Sequence, residues 1–310
     1  MNPVTDSLLG LAVGDALGVP VEFRNRASLQ AKPVSGMLAY GTHRQPLGTW
    51  SDDSSLAFCL AECLCSGFDL QQIGDSFVRW LDEAHWTAHG SVFDVGITTR
   101  EAIYRLRSGT RPDIAGSWDE MSNGNGSLMR ILPLLFHIQK LDIDARYEKT
   151  KLVSGITHGH VRSAMACFYY LEFAKRVLEG KSAGAAYEET GPEVKAFFQA
   201  RGIVEREIGL FRRLLDEDIS ILPEEKISSS GYVLHTLEAS MWCLLTTDNF
   251  QDAALKAVNL GEDTDTTGAV TGGLAGLLYG EKNIPSVWLD VLVRRENIRA
   301  LGNQLFAATQ

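Results

Sequence analysis

Ser51-Asp52-Asp53-Ser54-Ser55-Leu56-Ala57-Phe58-Cys59-Leu60-Ala61-Glu62-Cys63-Leu64 opens on two carboxylates between hydroxyls and continues as a helix. Leu56, Cys59, Leu60, Cys63 and Leu64 fall at i, i+3, i+4, i+7 and i+8, one apolar face at the helical period. More than two hundred residues later the same arrangement returns. Asp263-Thr264-Asp265-Thr266-Thr267 leads into Gly268–Leu278, a small and apolar run that reads as a tightly packed core helix. Each cluster taken alone fits simple N-capping, for which Ser, Thr and Asp are preferred and in whose first turn acids are favoured. Capping needs one side chain, however, and each cluster offers two acids. If the fold brings the clusters together, four carboxylates share one small volume. Like charges about 4 Å apart repel by roughly 4 kcal/mol at an effective dielectric of 20. Such a site needs cations, and all-oxygen donors select hard ions, Mg²⁺ or Mn²⁺. Two divalent ions would neutralise the four acids.

The same 3.6-residue period dominates the rest of the 310 residues. Helices are predicted near 5–18, 54–66, 69–85, 95–107, 127–139, 145–155, 160–179, 193–216, 231–246, 250–259, 266–280 and 286–307. Alternating β-branched runs are almost absent, so the fold class is all-α, a single domain over 1–310, and helices of one bundle can place remote residues together. Both clusters lie near opposite ends of the chain, which argues for one domain built from both ends. The stretch 180–230 is the most charged and is expected to be a solvated peripheral excursion.

Composition narrows the function. A formal charge of −10 and a pI near 5.2 argue against nucleic acid and against an anionic membrane surface. Five cysteines, none in CxxC spacing, read as reduced core thiols of a cytosolic protein, so a cytoplasmic location is expected. The N-terminal residues lack a basic segment followed by an apolar one. No run of about 20 uninterrupted apolar residues occurs, so no membrane span is expected. A monomer is the expected state.

Four further constellations bear on chemistry. Gly10, Gly14 and Gly18 share one helix face and point to close helix packing. Asp15 lies among them, and Glu22 follows Val19-Pro20-Val21; an acid in apolar surroundings is paired or functional. Asn123-Gly124-Asn125-Gly126-Ser127 precedes Leu128-Met129-Arg130. It is either an ordinary turn or a loop presenting backbone N–H groups to a phosphate. His158 and His160, two residues apart, do not share a helix face and so do not jointly bind a metal from a regular helix. Asp94 is either the N-cap of the helix beginning near Val95 or an acid–base group beside the metal site.

Taken together, GDALGVPVEF at 14–23, GTWSDDSSLA at 48–57, DVGITTREA at 94–102, NGNGSLMRILPL at 123–134, ITHGHVRSA at 156–164, GYVLHTLEASMWCL at 231–244 and NLGEDTDTTGAVTGGLAGLLYG at 259–280 resemble the ADP-ribosylglycohydrolase family. The resemblance runs in order over nearly the whole chain, and the paired SDD and DTDT motifs make it specific. It implies an all-α, single-domain orthogonal helical bundle with a central cleft holding a binuclear Mg²⁺ or Mn²⁺ centre. Ser51, Asp52, Asp53, Asp263, Asp265 and Thr266 would be the ligands, Ser51 standing where the family usually has Thr. It implies that Asn125, Gly126 and Ser127 line the ADP-ribose pocket, that His158 lies against the nucleotide, and that Glu22 borders the metals. Asp94, in an Asp-hydrophobic-Gly motif, resembles the acid of the arginine-directed branch; members directed at other linkages place the key acid near Glu22. The implied substrate is an ADP-ribosylated protein, with ADP-ribose as product and ADP-ribosylarginine as the expected linkage. A serine-linked or other substrate, or a non-catalytic ADP-ribose-binding protein on the same fold, is the alternative.

Overall fold

A computed structural model describes residues 2–310. Among them are eleven α-helices of ten residues or more, with isolated β-bridges but no strand. In chain order they are α1 (Pro3–Gly18), α2 (Asp52–Leu64), α3 (Leu70–Glu83), α4 (Ile97–Arg107), α5 (Ile143–Gly155), α6 (Val161–Leu178), α7 (Ala183–Ala200), α8 (Val233–Leu245), α9 (Phe250–Asn259), α10 (Thr264–Tyr279) and α11 (Arg295–Ala308). The all-α expectation holds.

The centre is the pair α1 and α10. With the 3₁₀ turn Val19–Val21 that continues it, α1 is long and apolar enough to cross a membrane by composition, but 94% of its most apolar window is buried inside this fold, so it is the core helix here. Its glycines meet glycines of α10. A Cβ at Gly10 would stand 2.3 Å from the Gly272 carbonyl oxygen, and one at Gly14 would stand 2.0 Å from that of Gly268. Only hydrogen side chains allow backbones this close. Helix α11 closes on the other side of α1, with Gly302 against Thr5.

Three expectations about elements are corrected. The helix predicted over 127–139 is a series of turns followed by a short helix, Leu134–Ile138. Pro133 has no N–H and disfavours helical geometry at Leu132, although Leu128, Ile131 and Leu132 are fully buried as the periodicity required. The segment predicted over 193–216 starts ten residues earlier as α7. It ends ahead of Gly202, which takes φ +69°, and resumes as the short helices Glu205–Leu210 and Arg212–Leu215. The last predicted helix, over 286–307, is interrupted at Arg294, whose φ is +58°. Within the charged stretch 180–230, Val194, Phe197, Phe198, Phe211 and Leu214 are buried in the main core, while Glu188, Glu189, Glu193 and Asp216 face outward. Its charge marks the outer faces of these helices, and the apolar faces join the core.

Candidate active site

Helix α1 assembles the site from behind. Asp15, fully buried, accepts hydrogen bonds from the Ser51 amide (3.0 Å), the Ser54 amide (3.1 Å) and the Ser54 hydroxyl (2.5 Å). The N-terminus of α2 is therefore capped by an acid from a different helix as well as by its own Ser51. Burial pushes the Asp15 carboxyl up to about 7, against the pull of those hydrogen bonds. One turn later, a Cβ at Gly18 would lie 2.3 Å from the Asp265 Cα, and the Thr264 hydroxyl donates to the Gly18 carbonyl at 2.8 Å. A single helix thus fixes the first cluster through Asp15 and the second through its glycine face.

The clusters meet. The Ser51 hydroxyl donates to Asp53 Oδ2 at 3.0 Å, and the Thr266 hydroxyl reaches the same oxygen at 3.5 Å. Asp53 Oδ1 and Asp265 Oδ2 are buried without a hydrogen-bond partner. Burial pushes Asp52, Asp53 and Asp265 well above the usual carboxylate range, and neighbouring carboxylates push further: Asp53 on Asp52, Asp15 on Asp53, Glu22 on Asp265. Asp263 is raised by burial and held back by its hydrogen bond from Asn125 (2.8 Å). Orphaned carboxylate oxygens surrounded by acids are what a hard cation satisfies, and the donor chemistry here fits one. Glu22, His43, Asp94 and Asp265 also place one ligand atom each within 4.8 Å of one another, a cluster able to hold a metal ion. This set shares only Asp265 with the ligands expected from sequence.

The acids open into a cleft of about 260 Å³. Glu22, Asp52, Asp53, Asp94, Asp263 and Thr266 line it, together with Gly124, Asn125, Gly126, Met129 and His158. Backbone bonds tie the Gly124–Gly126 loop in place: the Asn125 amide donates to Gly231 and the Val233 amide to Asn123, both at 3.0 Å. A Cβ at Gly126 would stand 2.8 Å from the His158 ring and 2.9 Å from the Thr99 hydroxyl, so glycine is required there by close approach.

The structure separates the alternatives that the sequence left open. Helix α4 takes Gly96 as its N-cap, with no side-chain hydrogen bond, so Asp94 is not the cap. Asp94 lines the cleft instead, with φ +50°. That left-handed geometry is uncommon outside glycine and tends to collect at functional sites. The two histidines divide. His160 caps α6 by accepting from the Arg162 amide at 3.2 Å. His158 lines the cleft, its Nδ1 2.7 Å from the Thr157 hydroxyl; burial first, then the charge of Arg130, push it down to about 3, so it is neutral.

Compared with proteins of known kind, the sequence model described as ADP-ribosylglycohydrolase matches residues 2–310. The chain belongs to the ADP-ribosylglycohydrolase family. It is 36% identical to a protein of Serratia proteamaculans named ADP-ribosylarginine hydrolase Tri1, over 99% of this chain and 79% of that one. It is 31% identical to the ADP-ribosyl-[dinitrogen reductase] glycohydrolase of Rhodospirillum rubrum, over 94% of this chain and 91% of that one. A solved structure titled ADP-ribosylglycohydrolase-related protein complex superposes with a TM-score of 0.83 at 32% identity, covering all of this chain and 98% of its own.

Within this family fold, not every residue singled out from sequence reaches the cleft. The Ser127 side chain is fully buried; its hydroxyl pairs with Ser154 at 3.0 Å and with the Cys167 sulfur at 3.5 Å, so it supports the loop from beneath. Ser51 and Asp265 lie just behind the cleft surface. Three residues were missed. His43, in the loop before α2, contacts the Glu22 carboxylate and lies tilted against Phe93, 5.3 Å between ring centroids. Burial raises Glu22 to about 7, and the His43 contact opposes that rise. Phe23 and Ile97 stand on the cleft lip. His43 lies in an aperiodic Gly- and Pro-bearing loop with no local pattern to mark it, whereas Phe23 directly follows the flagged Glu22.

Proposed function

We propose that this chain hydrolyses the N-glycosidic bond between C1″ of ADP-ribose and an arginine guanidinium of a modified protein, releasing ADP-ribose, with two divalent cations, Mg²⁺ or Mn²⁺, as cofactors. Ser51, Asp52, Asp53, Asp263, Asp265 and Thr266 would hold the cations. When bound, these supply electrostatic orientation of the sugar hydroxyls and a more acidic water. The Gly124–Gly126 loop offers close backbone approach to the diphosphate, and neutral His158 borders it without adding charge.

The observation that carries the reading is the condition of Asp94. It faces the cleft, is released from capping, and makes no side-chain hydrogen bond among the described residues. Glu22, the other candidate acid, is engaged by His43. A carboxyl without a hydrogen-bond partner, lining the cleft within 4.8 Å of Glu22, His43 and Asp265, is placed to pass a proton to the departing guanidine nitrogen. The C1″–N bond breaks, the oxygen of water bonds to C1″, and the water proton ends on guanidine. The name of the Serratia proteamaculans relative, ADP-ribosylarginine hydrolase, supports the same linkage. One chain supplies every group invoked, so a monomer suffices.

The test is release of free ADP-ribose from matched arginine- and serine-ADP-ribosylated peptides, with Mg²⁺, with Mn²⁺ and with chelator. Metal-dependent release from the arginine peptide is expected. Release from the serine peptide alone would move the linkage and shift the chemistry to Glu22.

A further inference from the structure

We infer that Phe23 and Ile97 form a subsite for the arginine side chain itself, the Phe23 ring taking the planar guanidinium and Ile97 the methylene stem. The inference rests on the arginine reading above and extends it to the residues that distinguish this linkage.

Phe23 is 69% exposed and Ile97 is 78% exposed, yet both line the acidic cleft with Glu22 and Asp94. Isolated apolar residues on a surface need no explanation. These two share the lip of one cleft, and one is held there against its backbone preference. Phe23 has φ +63°, an outlier for a bulky residue. It is fixed in that geometry by a reciprocal pair of backbone bonds. The Phe23 amide donates to Glu262 and the Glu262 amide donates to Arg24, both at 2.7 Å. His43 stands beside the ring, 6.1 Å between centroids, and is itself backed by Phe93 at 5.3 Å. A largely exposed aromatic side chain is thus held in the same cleft as the acids.

The chemistry that matches an exposed ring beside carboxylates is a planar, weakly hydrated cation. Guanidinium stacks on aromatic faces and carries donors for the acids at the ring edge. Its three-carbon stem is apolar and covers an exposed aliphatic neighbour. A serine-linked substrate has neither group and would leave both residues bare. Asp94 and Phe23 line the same cleft, so a guanidinium seated on the ring lies on the side of the carboxyl proposed to pass a proton to the guanidine nitrogen as the C1″–N bond breaks.

The experiment compares wild type with Phe23→Ala, Phe23→Leu and Phe23→Tyr. The substrates are ADP-ribosylagmatine, which keeps the guanidinium and stem without a peptide, and an ADP-ribosylated arginine peptide. Binding of free ADP-ribose with Mg²⁺ is followed by calorimetry. Phe23→Ala and Phe23→Leu should each raise KM for both substrates about two- to fivefold, as an exposed cation–π contact implies, with kcat little changed. Phe23→Tyr should retain the wild-type KM, and free ADP-ribose should bind all four proteins equally. A Leu variant that matches wild type, an Ala variant with unchanged KM, or an equal loss for free ADP-ribose would overturn the subsite while leaving the arginine reading intact. Wild-type protein that releases nothing from either arginine substrate would overturn the arginine reading, and the subsite with it.

Discussion

At Asp94 the local sequence offered two roles, and backbone geometry decides between them. The cap of α4 falls to Gly96, and the acid is turned at φ +50° onto the cleft. Asp94→Asn removes the transferable proton and keeps the shape. It should retain Mg²⁺ and ADP-ribose binding and lose about 10²- to 10⁴-fold in kcat, the usual worth of a general acid–base group. Undiminished turnover would take Asp94 out of the reaction. Asp53 belongs to a different function. Its Oδ1 is buried without a partner, and Asp15, Asp94 and Asp263 all push against its charge. Asp53→Ala should abolish stoichiometric metal, measured by elemental analysis after dialysis. Retained metal would remove Asp53 from the ligand set. Acids of this kind were legible in the sequence because they came doubled where one cap would do. His43 was not, because its significance is a contact with Glu22 across a loop, which no periodicity encodes. The resemblance implies Ser127 in the ADP-ribose pocket, but its hydroxyl turns inward onto Ser154 and Cys167, a tertiary contact that the local sequence does not encode.

Between elements, the pairing of α1 with α10 converts two distant motifs into one site. The small residues at 10, 14 and 18 were read as a packing face, and they are one. What no local pattern contained is that Asp15, between those glycines, reaches the other way to cap α2. The helix that seats the second cluster therefore also orients the first. At Pro133 and Gly202, boundaries that sequence periodicity missed, one residue's backbone preference overrides a run of well-spaced apolar side chains, whereas at Arg294 the chain is held left-handed against that residue's preference. Gly14→Ala tests the central pairing. Its methyl group would stand 2.0 Å from the Gly268 carbonyl oxygen, a backbone atom that cannot move aside without parting the helices. A loss of about 1–3 kcal/mol in urea unfolding is expected, the range for overpacked cores, together with weaker metal binding. Gly184→Ala, in α7 with nothing within 4 Å, is the control and should gain roughly 0.5–1 kcal/mol from helix propensity alone. Equal effects at the two positions would deny α1 and α10 their role in building the site.

For the whole molecule, the cluster couples folding to protons and metal. Asp15 and Glu22 have folded pKa values of about 7, raised by burial from ordinary values of 3.8 and 4.5. Asp52, Asp53 and Asp265 are raised in the same direction. Between the unfolded and folded values the native state holds more protons than the unfolded chain, so stability to unfolding falls as pH rises through that window. In chelator, the melting temperature should therefore fall from about pH 5 to pH 8. Asp15 and Glu22 contribute their loss between about pH 4 and pH 7 and nothing further above it. Cations reverse the trend. They bind the deprotonated acids, so protons compete with them, and their stabilising effect grows as pH rises. At a concentration 100-fold above the dissociation constant, a bound ion adds roughly 2.7 kcal/mol. Scanning calorimetry at pH 5, 6.5 and 8, with chelator and with Mg²⁺ or Mn²⁺, separates the two contributions. The metal-induced rise in melting temperature should be largest at pH 8 and smallest at pH 5. A rise of the same size at all three, with a chelated protein indifferent to pH, would mean that the buried acids neither repel one another nor receive the ions.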